Sequence, residues 1–155
     1  MKAIRLRTEY LKNPIGIDID TPRLFWNCEG GVKQTAWEVD ARDDQGNTLW
    51  NSGKVAANTM QAAWGGAAVA PGTKVLWRVR LWDEEDVCGE WSEASFETGI
   101  GQWKAKWITG DYPVDKKKRY PVDCFRKCFG AEDVAKARLY ITACGVYEAE
   151  LNGKR

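Results

Sequence analysis

Histidine is absent from the 155 residues, and that single absence removes the commonest general base and the commonest zinc ligand together. No Ser/His/Asp or Cys/His catalytic set can be built from this chain alone. No signal peptide is expected either: the opening MKAIRLRTEY is charged and alternating, where an apolar stretch of roughly 7 to 15 residues would be needed. No later apolar run reaches the length of a membrane span. Neither sign of charge dominates, with 23 basic against 22 acidic residues and a net of +1, so no global field recommends nucleic acid or an anionic membrane as a partner. Five cysteines, at 28, 88, 124, 128 and 144, lack the dense spacing of a disulfide scaffold. The expectation is a cytoplasmic protein with reduced thiols, no cofactor, and neither nucleic acid nor membrane as partner. Also missing is any segment with a sustained helical period and caps at both ends.

What the chain does have is 44% hydrophobic residues, and they are set at strand spacing. In the stretch KVLWRVRLWDEEDVCGEWSEASFETG, Val75, Trp77, Val79 and Leu81 alternate with Arg78 and Arg80, the signature of a strand with one buried face. Asp83, Glu84, Glu85 and Asp86 interrupt the alternation, Gly89 follows, and Trp91, Ala94 and Phe96 begin the return, so this is a hairpin with an acidic tip. Upstream, 4–8 reads as a strand with Ile4 and Leu6 on one face, followed by a link in which Pro14, Gly16 and Pro22 forbid long regular structure. A second strand over 23–28 shares Leu24, Trp26 and Cys28 on one face. A third over 35–42 puts Thr35, Trp37, Val39 and Ala41 inward and Glu38, Asp40 and Arg42 outward, turning at DDQGN. A fourth covers 48–50, and a short segment lies at 60–64. Short strands at regular spacing describe an all-β fold over residues 1–99, a fibronectin type III-like or immunoglobulin-like sandwich centred on Trp26, Trp37 and Trp77.

The composition changes at TGIGQ. Residues 100–123 read as a linker and lead-in to a second module. Residues 124–155 then carry a strand-like CFRKCF and the run ARLYITACGVYEAELNGKR, where Ala137, Leu139, Ile141 and Ala143 alternate with polar neighbours before Gly145 shifts the phase. Asn152-Gly153 is the strongest two-residue hairpin signal, because both central positions of a type I′ turn favour positive φ. Such a turn wants a returning strand, so the expectation is the truncated start of a second β-sandwich.

Several features invite chemistry. Nine tryptophans suggest carbohydrate binding, but those on alternating inward positions are expected in the core. Trp82 shares its face with Arg78 and Arg80, which favours an Arg/Trp ladder with cation-π contacts on the outside of the sheet over a sugar platform. The acids at 83–86 and the DDQGN turn at 43–47 could supply carboxylates to calcium, yet neither has the alternation of an EF-hand loop, and solvated tips are the favoured reading. Adjacent turn acids do not converge as paired glycosidase carboxylates must. Cys124 and Cys128 on one strand would lie roughly 13 Å apart. They read as buried free thiols rather than zinc ligands. The basic run KKKRY at 116–120 reads as a solvated connection.

The phrases LRTEYLKNPIGID and TPRLFW, then AWEVDARDDQGNTLWNSGKV and the 74–99 hairpin, resemble the N-terminal domain of bacterial α-L-rhamnosidases of glycoside hydrolase family 78. WKAKWI, FRKCF and ARLYITACGVYEAELNGKR are similar to the start of that family's next β-sandwich module. The resemblance implies modules that precede an (α/α)6-barrel, which removes terminal α-L-rhamnose with inversion using two acidic residues. Those acids lie in the barrel, so no catalytic residue is carried onto this chain, and no metal or cofactor site is either. The implied role is a non-catalytic accessory region. Its partners are the further C-terminal modules of the same polypeptide, with rhamnosides reached only through the catalytic domain and a homodimer as a further association. Trp103, Trp107 and Ile108 are the candidate domain-interface residues. The alternative is a free-standing fibronectin-like module that binds a carbohydrate or a protein.

Overall fold

The computed structural model describes all residues 1–155, which divide into two compact units, 1–105 and 106–155. The first unit contains eight strands: β1 (Lys2–Thr8), β2 (Ile15–Ile17), β3 (Arg23–Glu29), β4 (Ala36–Asp43), β5 (Thr48–Asn51), β6 (Gln61–Ala63), β7 (Lys74–Trp82) and β8 (Ser92–Thr98). They form a three-stranded sheet in the order β1-β3-β6 and a five-stranded sheet in the order β2-β8-β7-β4-β5. All pairings are antiparallel except β2 with β8.

The inner faces come from the period-2 residues. Leu24 and Trp26 of β3 and Ala62 of β6 meet Trp37, Val39 and Ala41 of β4, Val75, Trp77, Val79 and Leu81 of β7 and Phe96 of β8 in one buried core. Trp26 and Trp37 meet edge to face across the two sheets, with ring centroids 5.7 Å apart. The indole N–H of Trp77 donates to Thr8 Oγ1 at 3.2 Å, so the sheets are also joined by a buried polar contact. Trp26, Trp37 and Trp77 therefore hold the central positions their spacing assigns, in an immunoglobulin-like all-β sandwich.

Three details differ from the sequence reading. Ile4 and Leu6 do not share a face, because β1 shifts register against β3 between Ile4 and Arg7, and Arg5 takes φ +52°. The extra residue of this bulge puts Ala3, Leu6 and Thr8 inward instead. The link after β1 contains β2, whose Ile15 and Ile17 run parallel to Glu97 and Thr98. Three residues are too few to show a period, so that pairing left no pattern. Asp40 lies on the outward face of β4 but is only 4% exposed, because long side chains from β4 and β7 fold over it.

In the second unit the strands expected over 124–129 and 137–151 are not formed. Phe125, Phe129, Leu139 and Ile141 are exposed. An alternating segment becomes a strand only where a neighbour takes its N–H and C=O groups and an opposing layer covers its apolar face, and residues 106–155 supply neither. Cys124 and Cys128 are accordingly exposed free thiols, not buried ones. Side chains organise what order there is: Tyr112 and Tyr120 stack at 4.8 Å, and Tyr112 donates to Asp123 Oδ1 at 2.9 Å. That bond to the Asp123 carboxylate pushes the Tyr112 phenol up. The Asn152-Gly153 turn forms as its sequence predicts, with φ of +53° and +73° and reciprocal backbone bonds of 2.8 and 3.1 Å between Leu151 and Lys154.

Candidate functional site

The outer face of the five-stranded sheet carries a set of paired charges together with Trp82 and Trp91. The β4/β7 register sets Glu38 opposite Arg80 and Asp40 opposite Arg78. Arg80 Nε and Nη2 donate to Glu38 Oε2 at 2.8 and 2.6 Å, and this bond raises the guanidinium pKa. Arg78 Nε donates to Asp40 Oδ2 at 2.9 Å, and Arg42 Nε reaches the same oxygen at 3.2 Å. Above them lie the rings: Arg78 and Arg80 sit 4.5 and 4.6 Å from the Trp91 centroid. Arg80 is also 5.2 Å from Trp82, which Lys54 approaches at 4.9 Å. Lys54 completes its partners with Asp86.

This is the expected Arg/Trp ladder. Arg78 and Arg80 each have a carboxylate on one side and a ring on another, so these cations keep their hydrogen bonds while the rings shield the sheet. Trp82 is buried in the process and offers no open face to a sugar. The Glu38 and Asp40 carboxylates are held by arginines rather than set across a cleft.

The two acidic turns share one construction. In 43–47, Asp43 N–H donates to Asn47 O, while the N–H groups of Gln45 and Asn47 both donate to Asp43 Oδ1. In 83–87, Asp83 N–H donates to Val87 O, while the N–H groups of Glu85 and Val87 donate to Asp83 Oδ1. Gly46 and Asp86 occupy the fourth position with φ of +89° and +61°. The first acid of each tip thus serves its own turn as an acceptor. The Asn47 side chain adds a further bond that holds Asp43 below the usual carboxylate range. Glu84 reaches away to accept from the N–H groups of Val32 and Lys33, which lowers its pKa as well.

A cavity of about 330 Å³ opens beside Cys28, with Gln34, Asn58 and Met60 in its wall. Cys28 Sγ donates to Gln34 Oε1 at 3.1 Å, and burial pushes the thiol up. A protonated thiol with its one donor already used is a poor nucleophile. Trp103, at the end of the first unit, is exposed, as are Trp107 and Ile108 of the second, at 71% and 68%.

One cluster carried no motif that sequence reading could use. Glu9 and Tyr10, in the turn after β1, meet Arg23 and Phe25 of β3. The only signal was negative, since neither Glu nor Tyr is a residue that tight turns select.

Comparison with known proteins matches this architecture to one family. The profile described as "Rha78A-like, N-terminal immunoglobulin domain" matches residues 3–102. An alpha-L-rhamnosidase of Streptomyces avermitilis is 33% identical over 129 residues, covering 74% of this chain and 12% of that protein. One from Formosa agariphila is 31% identical, covering 95% of this chain and 18% of that protein. Among solved structures, the alpha-L-rhamnosidase from Dictyoglumus thermophilum superposes with a TM-score of 0.64 at 32% identity, over 70% of this chain and 14% of that one. The chain thus spans less than a fifth of the length of each of these relatives. With 100 of its 155 residues in the match and a sandwich that superposes on the solved relative, the chain belongs to the family of Rha78A-like N-terminal immunoglobulin domains.

Proposed function

We propose that this chain is the non-catalytic N-terminal accessory region of an α-L-rhamnosidase whose full-length form hydrolyses terminal α-L-rhamnose from glycosides with inversion. The observation that carries the reading is the family match over residues 3–102, the same stretch that folds as the sandwich. The likeness to the Formosa agariphila rhamnosidase extends over 95% of the chain, which supports the same role for residues 106–155. The chemistry of the surface agrees, since Asp43 and Asp83 serve their own turns and Glu38 and Asp40 are held by arginines. Trp103, Trp107 and Ile108 are the positions through which the chain would join further modules of the same polypeptide, and their exposure supports that.

The test is hydrolysis of p-nitrophenyl α-L-rhamnopyranoside by the 155-residue chain and by the product of its full reading frame. The reading expects no turnover from the chain alone and turnover from the longer product. Turnover by the chain alone, or none by a folded full-length product, overturns it.

A further inference from the structure

The chain has two methionines in 155 residues, and both border the cavity beside Cys28. The register of the three-stranded sheet brings them there. Ala3 of β1 pairs with Cys28 of β3, so Met1, two residues before Ala3, lies on the same face at the next position along. On the other flank Phe25 pairs with Gln61, and Trp26 N–H donates to Met60 O at 3.2 Å, which sets Met60 opposite Trp26. Trp26 and Cys28 share one face of β3, and Met60 shares it with them. Met1 and Met60 are therefore the diagonal neighbours of Cys28 from the two adjoining chain segments. Such neighbours start ~7–8 Å apart, a gap that long side chains close.

These methionines do not serve as packing. A thioether recruited to fill a gap is buried and leaves no void, yet about 330 Å³ stays open beside them and Met60 is 48% exposed. The rest of the wall narrows what fits. No aspartate or glutamate lines it, and nowhere in the chain do three histidine, cysteine or carboxylate side chains converge. Calcium, magnesium and zinc, which want oxygen, imidazole or several thiolates, are thereby disfavoured. One thiol and two thioethers about a single cavity are the donor set of a soft monovalent cation. The Cys28 thiol gives its proton to Gln34 Oε1 at 3.1 Å, so an incoming cation must displace that proton, which a soft cation does and a hard one does not. The bond to Gln34 is expendable. Its Oε1 also accepts from Trp26 Nε1 at 3.0 Å, and its Nε2 donates to Ala57 O and Thr59 O at 3.2 and 2.9 Å, so the wall keeps its shape when the thiol turns to a metal.

We propose that Cys28, Met1 and Met60 form a binding site for one Cu(I) ion, three-coordinate through sulfur. On binding, the Cys28 S–H bond breaks, a Cu–S bond forms and the proton leaves to solvent. The two thioethers complete the set through their lone pairs, and the copper enters and stays as Cu(I), so no electron is transferred. The thiolate balances the single charge of the ion, which a half-buried site favours over a divalent one. The assignment is independent of the accessory-region reading.

The experiment uses the 155-residue chain with Cys88, Cys124, Cys128 and Cys144, all exposed, replaced by serine, so that only Cys28 remains as a thiol. Cu(I) is titrated without oxygen against bicinchoninate, a coloured Cu(I) chelator. One equivalent of copper is expected to pass from the chelator to the protein, and the unfolding temperature to rise with it. Met60→Leu, close to volume-conserving, weakens the transfer about tenfold or more. Cys28→Ser abolishes it, while the metal-free unfolding temperature reports that the fold is kept. Growth on selenomethionine adds a direct reading, because the selenium absorption edge should show one copper neighbour for each selenium. No transfer, equal transfer by Cys28→Ser or by Met60→Leu, or copper beside half of the selenium atoms or none, overturns the proposal.

Discussion

Asp40 and Arg78 face each other across β4 and β7, with Arg78 Nε 2.9 Å from Asp40 Oδ2. The carboxylate is 4% exposed, while its partners Arg78 and Arg42 remain partly in water. Removing the acid takes an acceptor from two guanidinium groups, whereas removing Arg42 leaves Asp40 its shorter bond. Asp40→Ala is expected to cost about 1–2 kcal/mol and Arg42→Ala under about 0.5, the exposed ends limiting both. Urea unfolding of the two variants checks the order, and equal losses would contradict it.

The buried bond between Trp77 and Thr8 joins the two sheets. Thr8→Val keeps the shape and the β-branching but strands the indole N–H, at a cost of about 1–2 kcal/mol. Thr8→Ser keeps the acceptor and is expected to cost less. Thermal unfolding distinguishes them. A valine variant as stable as wild type would mean that the N–H finds another acceptor.

Three carboxyls have lowered folded-state pKa values: Glu9 through its bond from Arg23, Asp43 through its bond from Asn47, and Glu84 through the backbone N–H of Lys33. A carboxyl held low binds fewer protons folded than unfolded. Its contribution is complete above the ordinary values, 4.5 for glutamate and 3.8 for aspartate, and is lost as pH falls below them. The unfolding midpoint should therefore drop as the pH falls from about 5 to about 3. Glu9→Gln should flatten part of that drop, and the protection factors of the amides at residues 8–11 should fall with acid. An unchanged midpoint over this range would remove the electrostatic account of the turns.

Thiol reactivity should divide by burial. Cys88, Cys124, Cys128 and Cys144 are exposed, and Cys28 is half-buried with its proton on Gln34. Titration with an aromatic disulfide is expected to show one fast phase for the four exposed thiols and a slow one for Cys28. Cys28→Ser should delete only the slow phase.

The parts legible in the sequence were those governed by one short period. Trp77 and Val79 announce an inward face by alternation with Arg78 and Arg80, and the same alternation put Trp82 on the ladder side. The DDQGN and DEED tips could be read as turns because Asp and Gly have local reasons to be there. Whatever depends on a partner element was not legible. Arg5 in the β1 bulge looks like any outward residue until β3 sets the register. Asp40 looks exposed until Arg78 folds over it. Leu139 and Ile141 alternate as strand residues do, and within 106–155 they have nothing to pair with. The Tyr10/Phe25 stack escaped for another reason: it joins a turn to a strand fifteen residues away, and neither residue alone breaks a pattern strongly enough to be noticed.

The central claim, that this chain is the accessory region of an α-L-rhamnosidase, is tested most directly by reading the source DNA past the codon for Arg155. The account predicts an open frame of several hundred codons with periodic helical segments and clustered acids. A stop codon immediately after Arg155 would contradict it.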